Sequence, residues 1–130
     1  MKRSMGIDPG DARIGLALSD PLGVIASPLT VLKHVSREVD AAEILRIAED
    51  HDVDKIIVGV AYGADGEIGP QARKSLRLLD QLARMSSLPI IPWDESGTTQ
   101  AAQRGMERDA EIDARAAAYI LQEYLDAQDC

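Results

Sequence analysis

The chain has 130 residues, with 14 Lys and Arg against 22 Asp and Glu, so its formal net charge is −8. That length supports one domain able to bury roughly two thirds of its unfolded surface without covalent staples, and the acidic balance excludes a protein that holds nucleic acid by bulk positive charge. The single cysteine is Cys130, so an intramolecular disulfide is impossible and a cytoplasmic setting is expected; no apolar run reaches the ~18 residues of a membrane span.

Aromatic residues are 3% and Phe is absent, so the core has to be built from Ile, Leu, Val, Ala and Met. Met5 to Asp8 is a short apolar run stopped by Pro9-Gly10-Asp11. Arg13 to Ser19 is a second run, and after the turn Asp20-Pro21-Leu22-Gly23 comes a third, Val24 to Leu32. The short turns predict an antiparallel meander, with Pro28 marking a bulge or a sheet edge. Ser36 is placed to cap a helix whose Ala41, Ile44, Leu45 and Ala48 recur at helical spacing. Lys55 to Val60 predicts a buried strand, and Pro70 suits the first turn of a helix running to about Ser86. Pro89 to Trp93 predicts a fifth strand, Gly97 to Met106 and Ile112 to Asp126 two further helical segments, and 127–130 a tail. Strands alternating with helices in the second half imply parallel pairing there. The expectation is one α/β domain over 1–126, with a mixed five-stranded sheet.

The sequence shows no Cys/His metal cluster, Walker loop or nucleophile elbow, and His34 and His51 sit among charged residues where a solvated surface is expected. That leaves carboxylates. Asp8 precedes Pro9, which favours extended geometry and projects it from the C-terminal end of the first strand; a turn aspartate is the ordinary alternative. Asp113 is followed at three, four, seven, eight and eleven residues by Ala116, Ala117, Ile120, Leu121 and Tyr124, so it continues an apolar helix face. A carboxylate there is costly to bury unless paired, protonated or metal-bound; the alternative is an exposed first-turn Asp favoured by the helix dipole. Asp94 and Glu95 leave the last strand at its C-terminal end, where open α/β sheets place ligands. Thr98 and Thr99 follow, able to cap a helix or meet phosphate. Converged, such carboxylates suit Mg²⁺ or Mn²⁺, and two such ions clamp both oxygens of a phosphodiester displacement. Arg73, Lys74, Arg77 and Arg84 share one arc of the helix after Pro70 with Asp80, which reads as a solvated face or as a phosphate track. Arg13, beside the first carboxylate, is the stronger single candidate for phosphate contact.

The run Gly6-Ile7-Asp8-Pro9-Gly10-Asp11-Ala12-Arg13-Ile14-Gly15 through Gly23 resembles the opening of the RuvX/YqgF family of Holliday junction resolvases, also described as nucleases that mature the small-subunit rRNA precursor. Ile57-Val58-Gly59-Val60, then Asp65-Gly66 and Pro70-Gln71-Ala72, agree in order and spacing. So do Pro92-Trp93-Asp94-Glu95 with Thr98-Thr99-Gln100-Ala101, and Ile112-Asp113 with Ala116 to Leu125. The resemblance implies an RNase H-like fold with helices on both sheet faces. It implies divalent-metal hydrolysis of phosphodiesters, acting on RNA or branched DNA and on ribosomal precursor particles. It carries the catalytic and metal-binding set onto Asp8, Glu95 and Asp113, with Asp94 supporting the loop. The chain departs from the family at Ala61-Tyr62-Gly63-Ala64, usually Pro-Leu-Asn-Met, and at Ser96, usually Arg. Two other readings stand beside this one. One is a non-catalytic nucleic-acid or ribosome-associated factor on the same fold. The other is an actin-like or sugar-kinase-like nucleotide binder, suggested by Asp8-x-Gly10 and Gly15. The sequence leaves monomer or homodimer open.

Overall fold

The computed structural model describes residues 2–95 and 110–128. Its strands are β1 (Arg3–Pro9), β2 (Arg13–Ser19), β3 (Ala26–Lys33), β4 (Val53–Val60) and β5 (Ile90–Asp94), joined in one sheet of order β3-β2-β1-β4-β5. β1, β2 and β3 pair antiparallel, β4 runs parallel to β1, and β5 parallel to β4. The helices among the described residues are α1 (Arg37–Asp50), α2 (Pro70–Met85) and α3 (Ala110–Gln128). A single 3₁₀ turn, Ala64–Gly66, precedes α2. The mixed sheet is the one expected, and β2 has the expected bounds. β3 lies at the edge, with a register shift where Ala17 meets Pro28. α3 reaches Gln128, so Ala127 and Gln128 continue the helix instead of opening a tail. The helix expected over 97–106 lies outside the described residues.

The twofold period of the strands sorts side chains between two layers. Met5, Ile7, Ile14, Leu16, Leu18, Ile56 and Val58 face one side, where Ala41, Ile44 and Ala48 of α1 and Leu78 and Leu82 of α2 cover them. The alternate positions, Ala17, Ile57 and Trp93, face Ala117, Ile120, Leu121 and Tyr124 of α3. Trp93 and Tyr124 meet edge to face at 5.5 Å, a preferred aromatic geometry. Gly6 is on this second face. A Cβ there would stand 2.7 Å from Leu121 Cβ and 2.8 Å from the Ala117 carbonyl oxygen, so only glycine lets α3 lie this close to β1.

Ser36 caps α1 as expected, its hydroxyl accepting from the Val39 N–H at 3.2 Å. Four residues on, Asp40 is buried at 4% exposure, accepts from the Val35 N–H at 3.0 Å and pairs with Nδ1 of His34. His34 is therefore tied to a buried carboxylate, not simply solvated as the sequence suggested. The helical period missed this because Asp40 is polar yet points inward beside Ala41 and Ile44.

The close approach of α3 has a measurable consequence. Gly6→Ala forces the Ala117 carbonyl outward and should destabilise the fold by about 1–3 kcal/mol. Thermal or denaturant melts check it, and an unchanged midpoint contradicts the packing described.

Candidate active site

Asp8 stands near the C-terminal end of β1 on the face covered by α3, paired in register with Gly15 of β2. Gly15 is where α3 touches the sheet: a Cβ there would lie 2.0 Å from the Asp113 carbonyl oxygen. The first turn of α3 therefore rests directly on the residue opposite Asp8. Asp113 is buried at 2% exposure, and its carboxylate accepts from Arg13 Nε at 2.8 Å. Arg13 shares the strand face of Gly15, so alternation along β2 carries its guanidinium to the same side. Asp113 is thus both buried and paired. The dipole of the helix it opens also favours its negative charge.

Glu95 arrives from the far side of β1. Its N–H donates to the Val60 carbonyl at 3.0 Å, extending the β4–β5 ladder by one residue. Its carboxylate lies over β4, 3.1 Å from where a Cβ of Gly59 would stand. The register Ile7↔Val58 makes Gly59 the next step along, level with Asp8. Three carboxylates from distant segments thus face one side of three neighbouring strands, at exposures of 8% for Asp8, 6% for Glu95 and 2% for Asp113. Asp94 is exposed at the end of β5, where its carboxylate acts on Glu123 of α3. Thr98 and Thr99 lie outside the described residues. Arg73 and Arg77 are exposed on α2, across the sheet from the carboxylates.

The donor set is chemically suited to a hard divalent cation, being oxygen throughout and screened from water. Among the described residues, no three His, Cys, Asp or Glu side chains are gathered closely enough to hold one. Neighbouring strands lie ~4.8 Å apart, which spreads the carboxylates over β2, β1 and β4, and Arg13 draws Asp113 to itself. Gly15 and Gly59 were not singled out as site residues from the sequence. In the sequence Gly15 figures only in the Asp8-x-Gly10 pattern and the family resemblance, and Gly59 only in the latter; their part in the site depends on where α3 and Glu95 lie.

These features define a class: an RNase H-like domain with buried carboxylates on one face near the C-terminal ends of its central strands. A family model described as RuvX, Holliday junction resolvase, matches residues 2–127, and the chain belongs to that family. A relative from Thermoanaerobacter pseudethanolicus, named "Putative pre-16S rRNA nuclease", is 42% identical over 97% of each chain. Among solved structures, RuvC of Thermus thermophilus in complex with a Holliday junction substrate superposes with a TM-score of 0.61 at 17% identity, over 99% of this chain and 96% of that one. A ROK hexokinase from Thermus thermophilus superposes at 0.50 and 17% identity, over 80% of this chain but 37% of the kinase. Fold likeness alone thus reaches both a resolvase and a sugar kinase, and the family match separates them. No helix among the described residues is long and apolar enough to cross a membrane.

At the outer rim of α3, partial burial raises the pKa of Glu123 above the ordinary glutamate value, and the Asp94 carboxylate raises it further. A carboxyl whose folded pKa is raised favours folding while protonated, and that contribution is lost as pH rises through the folded value. Glu123→Gln should therefore raise the melting temperature at pH 7. The gain should vanish near pH 4, just below the ordinary glutamate value of ~4.3. A gain equal at both pH values contradicts the assignment.

Proposed function

We propose that the protein is a divalent-metal-dependent nuclease that hydrolyses phosphodiester bonds in structured nucleic acid, at the 5′ end of an rRNA precursor or in branched DNA of the Holliday-junction type. The observation that carries this is that Asp8, Glu95 and Asp113, each more than nine-tenths buried, face one side of three neighbouring strands in a chain of the RuvX family. Their burial is costly without a cationic partner, and a phosphodiester brings further negative charge.

The chain's own residues divide the work. Asp8, Glu95 and Asp113 would hold Mg²⁺ or Mn²⁺, which supplies Lewis acidity and an activated water at such sites. The backbone bond to Val60 fixes Glu95 over Gly59, and the contact on Gly15 fixes Asp113 beside Asp8. Arg13 keeps 35% of its side chain exposed beside Asp113; its planar fork suits phosphate, which it would orient toward Asp8. Thr98 and Thr99, following Glu95, would add hydroxyl donors to the same phosphate, and Asp94 would steady that loop. The substrate side is nucleic acid, free or within ribosomal precursor particles.

A second reading, a nucleic-acid-binding factor without catalysis, draws on the Arg13–Asp113 pair, which already neutralises one carboxylate. Cleavage decides between them. With Mn²⁺, the purified protein should cut labelled branched DNA or single-stranded precursor RNA, and excess EDTA or Asp8→Asn should abolish cutting. Glu95→Gln should slow it at least ~100-fold, ~2.7 kcal/mol of barrier, while Asp94→Asn costs clearly less. Full cleavage in EDTA sinks the metal assignment. A dead Asp94→Asn beside an active Glu95→Gln means that the wrong carboxylate was chosen.

A further inference from the structure

On the sheet face opposite the carboxylates, the turn Pro9-Gly10-Asp11 and the first halves of α1 and α2 enclose a cavity of about 270 Å³. Four basic side chains line it from three segments: His34 after β3, Arg37 on α1, and Lys74 and Arg77 on α2. Two carboxylates line it as well, and both are already engaged. Lys74 Nζ meets Asp11 at 2.5 Å. Asp40 takes the Val35 N–H at 3.0 Å and Nδ1 of His34. That bond fixes the His34 ring and leaves Nε2 as the nitrogen open to a ligand. Arg37 and Arg77 have no ion-pair or hydrogen-bond partner among the described residues. In a chain of net charge −8, two unpartnered guanidinium groups on one cavity are a local reversal of sign.

Guanidinium forks bind phosphate oxygens in pairs. The cavity is at the small end of ligand sites, roomy enough for one phosphate with its sugar but not for a base pair. Its wall at Pro9 and Gly10 continues directly from Asp8, which faces the other side of the sheet. A strand presenting one phosphate to Asp8 can cross this turn and bring another of its phosphates, further along the backbone, to the cavity. We propose that this cavity is a phosphate-binding subsite, in which Arg37 and Arg77 seat a phosphate of the same nucleic-acid strand that is presented to the carboxylates, further along its backbone. The inference rests on the nucleic-acid reading above and adds a second anchoring point to it. It also sorts the cations of α2: Lys74 and Arg77 line the cavity, and Arg73 does not.

Binding tests this without relying on cleavage. In EDTA, the full chain is titrated with a fluorescein-labelled single-stranded oligonucleotide across a salt series, and separately with AMP and with inorganic phosphate. The Arg37→Ala/Arg77→Ala variant is set against Arg46→Ala/Arg84→Ala, which removes the same charge from exposed arginines that are paired on their own helices and do not line the cavity. Melts check that both variants fold. The cavity variant should lose at least about 10-fold in oligonucleotide affinity and flatten the log–log salt dependence by ~0.7 per lost phosphate contact. The control should stay within about twofold. Equal losses in both variants, or none in the cavity variant, overturn the proposal. If AMP or phosphate binds through Arg37 and Arg77 while the oligonucleotide does not, the phosphate site stands with a free nucleotide or phosphate as its source and the strand assignment falls. Strand binding through Arg37 and Arg77, without any Mn²⁺-dependent cleavage, sinks the nuclease reading and leaves this one intact.

Discussion

The site depends on how closely α3 lies against the sheet. Gly6, Gly15 and Gly59 leave out a Cβ where α3 and Glu95 come closest to β1, β2 and β4, making room for the α3 backbone, the side chains of Leu121 and Ile120, and the Glu95 carboxylate. At Gly6 the helix backbone comes to within van der Waals distance of the strand. At Gly15 that approach sets the first helical turn, and with it Asp113, beside Asp8. At Gly59 the freed space receives the Glu95 carboxylate. A bulkier residue at any of the three would lift α3 or displace a carboxylate, so packing and site geometry are one constraint.

That constraint explains how three acidic groups can be buried together. Unpaired, each would be costly to remove from water, and carboxylates brought close together repel one another. At Asp113 the structure answers this cost with Arg13, whose guanidinium meets it from the neighbouring strand, and with the N-terminal end of α3. Asp8 and Glu95 sit beside them on adjacent strands. A cation is the chemical complement of such a set, and a phosphodiester would then meet positive charge in an otherwise acidic protein.

Much of the scaffold was legible in the sequence because its signals are local. The alternation in Arg13 to Ser19, the Ser36 cap and Pro70 at a helix start each depend on residues within one or two turns of one another. Asp8 and Asp113 could be singled out for the same reason: one ends a strand before proline, the other interrupts an apolar helical face. Their relation could not be read locally, because it passes through a contact between Gly15 and a helix about 100 residues away. Asp40 was missed because a helical period counts apolar residues, and this polar one is buried through its bonds to His34 and Val35. The cavity beside Arg37 and Arg77 was equally hidden, since it forms only where α1 and α2 meet behind the first turn.

The central claim is that Asp8, Glu95 and Asp113 act together as one cation-holding site. Melting temperature with and without millimolar Mn²⁺ reads this directly, because a ligand that binds the folded state raises its stability. The wild type should melt several degrees higher with Mn²⁺, and Asp8→Asn, Glu95→Gln and Asp113→Asn should each lose most of that rise while still folding without metal. A rise that survives in all three variants would contradict the account.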